Sequence, residues 1–98
     1  PMSEISKLTE LRKLLLDMER SMGLQDLSTV ERDIYYAASD HTTSAGAVKT
    51  TLLQEHALLE NVSRPTFFRA LKSLQGKGYL EQCKNSVRGY YIVKVPAR

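Results

Sequence analysis

Residues 62–80, VSRPTFFRALKSLQGKGYL, decide how the rest of this chain is read. Ser63 is a good N-cap, because its hydroxyl can accept from an amide of the first helical turn. Pro65 falls in that first turn, where its missing N–H leaves no intrahelical bond unmade. Phe67, Ala70, Leu71 and Leu74 recur at helical spacing and predict a core-facing side from Arg64 to about Gln75. Arg64, Arg69 and Lys72 occupy the opposite side. Gly76-Lys77-Gly78 then lets the backbone turn sharply, and two predicted strands follow.

Those strands span residues 79–83 and 90–95, the second rich in aromatic and β-branched residues (Tyr90, Tyr91, Ile92, Val93, Val95). Asn85, Ser86 and Gly89 supply the turn between them. Upstream, residues 3–22 predict a helix. Ile5, Leu8, Leu11, Leu15, Met18 and Met22 recur every three or four positions, with Ser3 as cap and Gly23 as stop. Leu14 and Leu16 widen that apolar surface, so the helix is expected to face both its own core and something else.

A second helix begins near Ser28, where Ser28 and Glu31 fit a capping box, and ends around Asp40. Val30, Ile34 and Ala37 or Ala38 form its inner face, with Tyr35 and Tyr36 beside it. The polar stretch HTTSAG is a loop, and Ala47-Val48-Lys49 a very short strand. A third helix starts at Thr50 or Thr51, with Thr51 and Gln54 as a second capping box. Leu52, Leu53 and Ala57 are expected to turn inward, and Leu58, Leu59 and Val62 to fill the turn before Ser63.

The 98 residues suffice for one domain with one modest core, and the composition (42 % hydrophobic, 26 % charged) is that of an ordinary folded chain. The net charge of +3 conceals a segregation. Up to Asn61 six basic residues face ten acidic ones, a net −4; from Val62 onward eight basic residues face Glu81 alone, a net +7. A segregated basic half is the electrostatic footprint of a polyanionic partner. Coinciding with a capped helix and a hairpin, it reads as a DNA recognition helix followed by a wing. The fold expected is mainly α with a small β-hairpin, a winged helix-turn-helix in the order α-α-(β)-α-α-β-β.

The same stretch resembles the winged helix-turn-helix of MarR-type bacterial transcriptional regulators. The similar pattern there is a capped helix, an inward apolar residue, a Leu-x-x-Leu, a Lys-Gly and an apolar residue entering the wing. Here those are Ser63, Phe67, Leu71 and Leu74, Lys77 and Gly78, and Leu80, and the likeness covers roughly residues 28–95. It implies sequence-specific recognition of double-stranded DNA by a transcriptional regulator.

A recognition helix presents its N-terminal half to base edges in the major groove. Ser63 and Thr66 are placed to donate to phosphate oxygens, helped by free amides and the positive end of the helix dipole. Arg64 and Arg69 are the candidates for base reading, since a guanidinium fork matches guanine O6 and N7, worth ~1–3 kcal/mol of discrimination each. Lys72 is expected to meet phosphate, and Lys84 and Arg88 on the hairpin to reach backbone or an adjacent minor groove. Phe68, one step off the core face, either packs under the hairpin or meets a thymine methyl.

Other chemistry is not indicated. Cys83 is the one cysteine, so no intrachain disulfide or cysteine-based zinc site is expected, and it reads as a buried structural thiol. His41 and His56 lack ligand spacing and suit capping or surface roles. Of Tyr35, Tyr36, Tyr90 and Tyr91, each pair is expected to put one ring inward and leave the other half exposed. Asp33, Asp40, Glu55 and Glu60 show no catalytic pairing, and no phosphate loop, nucleophile–base pair or nucleotide fingerprint occurs. An enzyme, a metal and a cofactor are therefore not expected. The start, PMSEISKL, has no basic-then-apolar pattern, which predicts a cytoplasmic protein. A homodimer through the N-terminal helix is the expected assembly, since two half-sites supply more contacts than one. The competing reading is a winged helix used for protein–protein contact within a larger assembly.

Overall fold

The computed structural model describes residues 2–40, 47–83 and 89–94. They form a mainly helical domain with a small antiparallel sheet. Its elements are α1 (Met2–Ser21), α2 (Thr29–Asp40), β1 (Ala47–Lys49), α3 (Thr50–Gln54), α4 (Arg64–Lys77), β2 (Leu80–Gln82) and β3 (Tyr90–Val93). Short 3₁₀ turns at Leu24–Asp26 and Ala57–Leu59 lead out of α1 and α3.

α1 begins at Met2, so Ser3 lies within the helix and does not cap it. The stop falls where the sequence puts it: Gly23 adopts φ 75°, a left-handed conformation that glycine takes without a Cβ clash. Leu24 and Leu27 then enter the core. The apolar stripe of α1 does not. From Ile5 to Met22 its leucines, isoleucine and methionines are 39–65 % exposed, which corrects the expectation that one side would face the chain's own core.

α2 starts with the expected reciprocal box. The Ser28 amide donates to Glu31 Oε1 at 2.7 Å, and the Glu31 amide donates to Ser28 Oγ at 3.2 Å. The box expected at Thr51 and Gln54 is not made. Lys49 stands at the N-cap without a side-chain bond, and Thr50 turns outward to the sheet, its amide and hydroxyl both donating to the Gly89 carbonyl at 2.7 and 2.8 Å. α3 is too short to bury a broad face. Leu53 is fully buried while Leu52 and Ala57 are exposed; Leu59 is buried, Val62 half-buried and Leu58 exposed.

α4 is capped by Ser63, whose Oγ accepts from the Thr66 amide at 3.4 Å. It runs two residues past Gln75 and closes at Gly78 (φ 87°), whose amide reaches the carbonyls of Leu74 and Gln75. Gly76 is thus helical, and Gly78 alone makes the turn. β3 is the central strand of the order β1-β3-β2, pairing antiparallel with both neighbours. Val48 lies opposite Tyr91, and Leu80 opposite Val93. Here the expected hairpin gains β1 as a third strand.

The core lies between α2, α3, α4 and one face of the sheet. Ile34, Val48, Leu53, Phe67, Leu71 and Leu74 are its largest fully buried side chains. Tyr35 is buried and Tyr36 half-buried, as expected of that pair, whereas Tyr90 and Tyr91 are both half-buried. The Tyr35 hydroxyl donates to the Lys94 carbonyl at 2.7 Å, and its ring meets Tyr79 edge-on with centroids 5.2 Å apart. Cys83 is half-buried, not buried. His56 caps the second 3₁₀ turn, its Nδ1 accepting from the Leu58 amide at 3.1 Å while Nε2 lies 3.0 Å from Asp40. His41 and the HTTSAG loop lie outside the described residues. Among the described residues no helix is long and apolar enough to cross a membrane.

Candidate nucleic-acid interface

With ~100° between successive helical residues, Arg64, Phe68, Lys72 and Arg69 share one arc of α4 roughly 140° wide. Phe67, Ala70, Leu71 and Leu74, all buried, occupy the other side. The outward arc is therefore held in place by four core side chains on the reverse of the same helix. Arg64, Phe68, Arg69 and Lys72 are exposed. The three cations make no ion pair with any described residue.

The other described cations from the same half behave differently. Lys77 Nζ donates to Glu31 Oε1 and to the Asp26 carbonyl, each at 3.0 Å. Lys94 pairs with Glu81 at 3.1 Å. The +7 of the C-terminal half is thus partly neutralised in place, and its unpaired described charge is concentrated on α4. Lys84 and Arg88 lie outside the described residues.

Phe68 is 39 % exposed. Its ring contacts among the described residues are both on α4: Phe67, edge-on at 5.1 Å, and the Arg64 guanidinium carbon, 5.5 Å from the ring centroid. A cation over an aromatic face is attracted by the ring quadrupole. Phe68 therefore supports Arg64 from below and leaves the guanidinium edges open to solvent. That contact was missed in the sequence, although the i, i+4 spacing of an arginine and an aromatic was the available signal.

The start of α4 is less open to anions than its position suggests. The Ser63 hydroxyl donates to Thr66 Oγ1 at 2.9 Å while accepting from the Thr66 amide, so the Thr66 hydroxyl hydrogen is the one left to give. Pro65 has no N–H, and the Phe67 amide is bonded to the Ser63 carbonyl. Arg64 keeps the one first-turn amide without a partner among the described residues. The positions named for phosphate contact thus reduce to the Arg64 amide and the Thr66 hydroxyl.

Thr66 and Arg69 also border a recess of about 290 Å³ shared with Ser28, Val30 and Glu31 of the α2 entry. The Glu31 carboxylate there does not titrate near neutrality. Burial pushes its pKa up, but hydrogen bonds from Ser73 and the Ser28 amide, together with Lys77, outweigh that and hold it at about 2. Its negative charge is matched by Lys77, so it does not offset Arg69. This pairing was invisible in the sequence, where Lys77 counted as one more surface cation.

No protein family, curated protein or solved structure compared with this chain matches it.

Proposed function

We propose that the chain is a winged helix-turn-helix domain of MarR-like type that binds double-stranded DNA through the outward arc of α4, as a cytoplasmic, nucleoid-associated bacterial transcriptional regulator. One observation carries the reading. Arg64, Arg69 and Lys72 are exposed and unpaired among the described residues, on a helix whose reverse side is locked into the core, while Lys77 and Lys94 are neutralised by neighbouring carboxylates. Arg64, with Phe68 beneath it, and Arg69 read base edges. Lys72, the Thr66 hydroxyl and the Arg64 amide meet phosphate, and Ser63 orients Thr66. Lys84 and Arg88, which lie outside the described residues, are expected to contact the DNA backbone or an adjacent minor groove as part of a wing.

The test is binding to random-sequence duplex across a salt series. Cation–phosphate contacts release counterions, so log K falls linearly with log salt, with a slope of about −0.9 per phosphate neutralised. Arg64→Ala and Arg69→Ala are expected to weaken binding and flatten the slope. No binding at low salt refutes the proposal and favours the protein-contact reading.

A further inference from the structure

We infer that Arg64 and Phe68 act as one reader of a two-base step, a guanine beside a pyrimidine that carries a C5 methyl group. Thymine and 5-methylcytosine satisfy that chemistry; unmethylated cytosine does not. The inference rests on the DNA-binding proposal and deepens it, by naming the step and by making recognition sensitive to base methylation.

Contact between the two side chains carries the argument. The Arg64 guanidinium carbon stands over the Phe68 ring, 5.5 Å from its centroid. The ring is itself braced edge-on by Phe67, with centroids 5.1 Å apart and planes at 88°. Phe67 is buried in the core, so the Phe68 ring has a fixed support and passes it on to the arginine. Each side chain alone would read one base. Held together, they meet a duplex as a pair.

The spacing of that pair matches a base step. A bidentate arginine places its fork in the plane of guanine, on O6 and N7. A ring against the face of that fork lies outside the plane, toward the neighbouring base pair. The 5.5 Å from guanidinium carbon to ring centroid is more than one step and less than two, since successive bases rise by about 3.4 Å. The ring is thereby brought to the major-groove edge of the next pair.

What the ring accepts there follows from its chemistry. In the major groove a base pair offers polar atoms and, for thymine, the C5 methyl that apolar side chains contact. A phenylalanine over a polar edge strips water from donors or acceptors and returns no hydrogen bond. Against a methyl it removes apolar surface from water on both sides. 5-Methylcytosine carries the same methyl at the same place. Phe68 is the one exposed aromatic residue of α4, and Arg69 and Lys72 on the same arc are cations. Seating the ring on a methyl also excludes water from the Arg64 contact, and cation–π attraction strengthens on desolvation. Guanine and methyl are therefore read cooperatively.

The experiment begins by selecting bound sequences from a random duplex pool with the full chain at low salt. The enriched sequences are expected to share a guanine next to a thymine. An enriched duplex is then remade with thymine, deoxyuridine, cytosine or 5-methylcytosine at that position, and the affinities are measured. Thymine against deoxyuridine, and 5-methylcytosine against cytosine, each isolate one methyl. The wild type is expected to favour the methylated member of each pair by about fourfold, the transfer of one methyl group out of water. Phe68→Ala is expected to lose both ratios. The tighter of the thymine and 5-methylcytosine duplexes identifies the natural source of the methyl. Equal wild-type binding within either pair, ratios that Phe68→Ala leaves intact, or enriched sequences without that step overturn the inference and leave DNA binding standing. A pool from which nothing is retained refutes the DNA reading, and this inference with it.

Discussion

The Glu31 carboxylate and the Lys77 ammonium lie 3.0 Å apart although 46 residues separate them in the chain. The contact joins the capping box of α2 to the last turn of α4. Glu31 thus serves both helices: its Oε1 accepts from the Ser28 amide of its own capping box and from Lys77 Nζ of α4.

Acid should loosen this joint in a defined window. The folded pKa of Glu31 is about 2 against an ordinary 4.5. A lowered folded pKa gives stability that is fully present above pH 4.5 and is lost as pH falls toward 2, because the unfolded chain takes up the proton first. Glu31→Gln should remove about 2 kcal/mol at pH 7 and flatten the acid limb of stability. Urea denaturation at pH 7, 4 and 3 reads both effects.

Adjacent phenylalanines should separate stability from binding. Phe67 is buried and Phe68 is 39 % exposed. Phe67→Ala is expected to cost about 3–5 kcal/mol through the cavity it leaves. Phe68→Ala should cost under about 1 kcal/mol yet weaken duplex binding by freeing Arg64. Paired denaturation and binding titrations check the contrast.

Gly76 offers a gain. It is helical, and a Cβ built there meets nothing within 4 Å. Gly76→Ala should therefore stabilise the domain by about 0.5–1 kcal/mol, seen as a higher denaturant midpoint with an unchanged slope.

Tyr36→Phe should free the end of α1 without disturbing the core. The Tyr36 hydroxyl is pushed up to about 12 by burial and by the Glu19 carboxylate it serves, so it stays protonated at neutral pH. Removing it leaves Glu19 with Arg32 alone. Amide exchange in α1 should quicken while that of Phe67, Leu71 and Leu74 stays slow.

Local chemistry was readable in the sequence, and long-range chemistry was not. The Ser28–Glu31 box, the Ser63 cap, the buried face of Phe67, Ala70, Leu71 and Leu74, and the Gly23 and Gly78 stops each depend on residues within a turn of one another. The Glu31–Lys77 and Glu19–Tyr36 pairs join segments whose meeting only the fold decides. The Thr51–Gln54 box was misread: α3 begins at Thr50, as expected, but Thr50 is held by the Gly89 carbonyl just before β3, far along the chain, and no side chain caps the helix. Leu52 and Leu53 could not be ranked because five residues of α3 are too few to define a face. In α1 the periodicity located a stripe but carried no information about what covers it. The arc of Arg64, Arg69 and Lys72 was legible from spacing alone; the neutralisation that singles it out from Lys77 and Lys94 was not.

The most direct test of the account is amide chemical-shift mapping of the full chain as a mixed-sequence duplex is added at low salt. The account predicts that the largest shifts run along the outward arc of α4, at Arg64, Thr66, Phe68, Arg69 and Lys72, with α1 little affected. Saturating duplex that leaves those amides unmoved, or moves α1 instead, would contradict it.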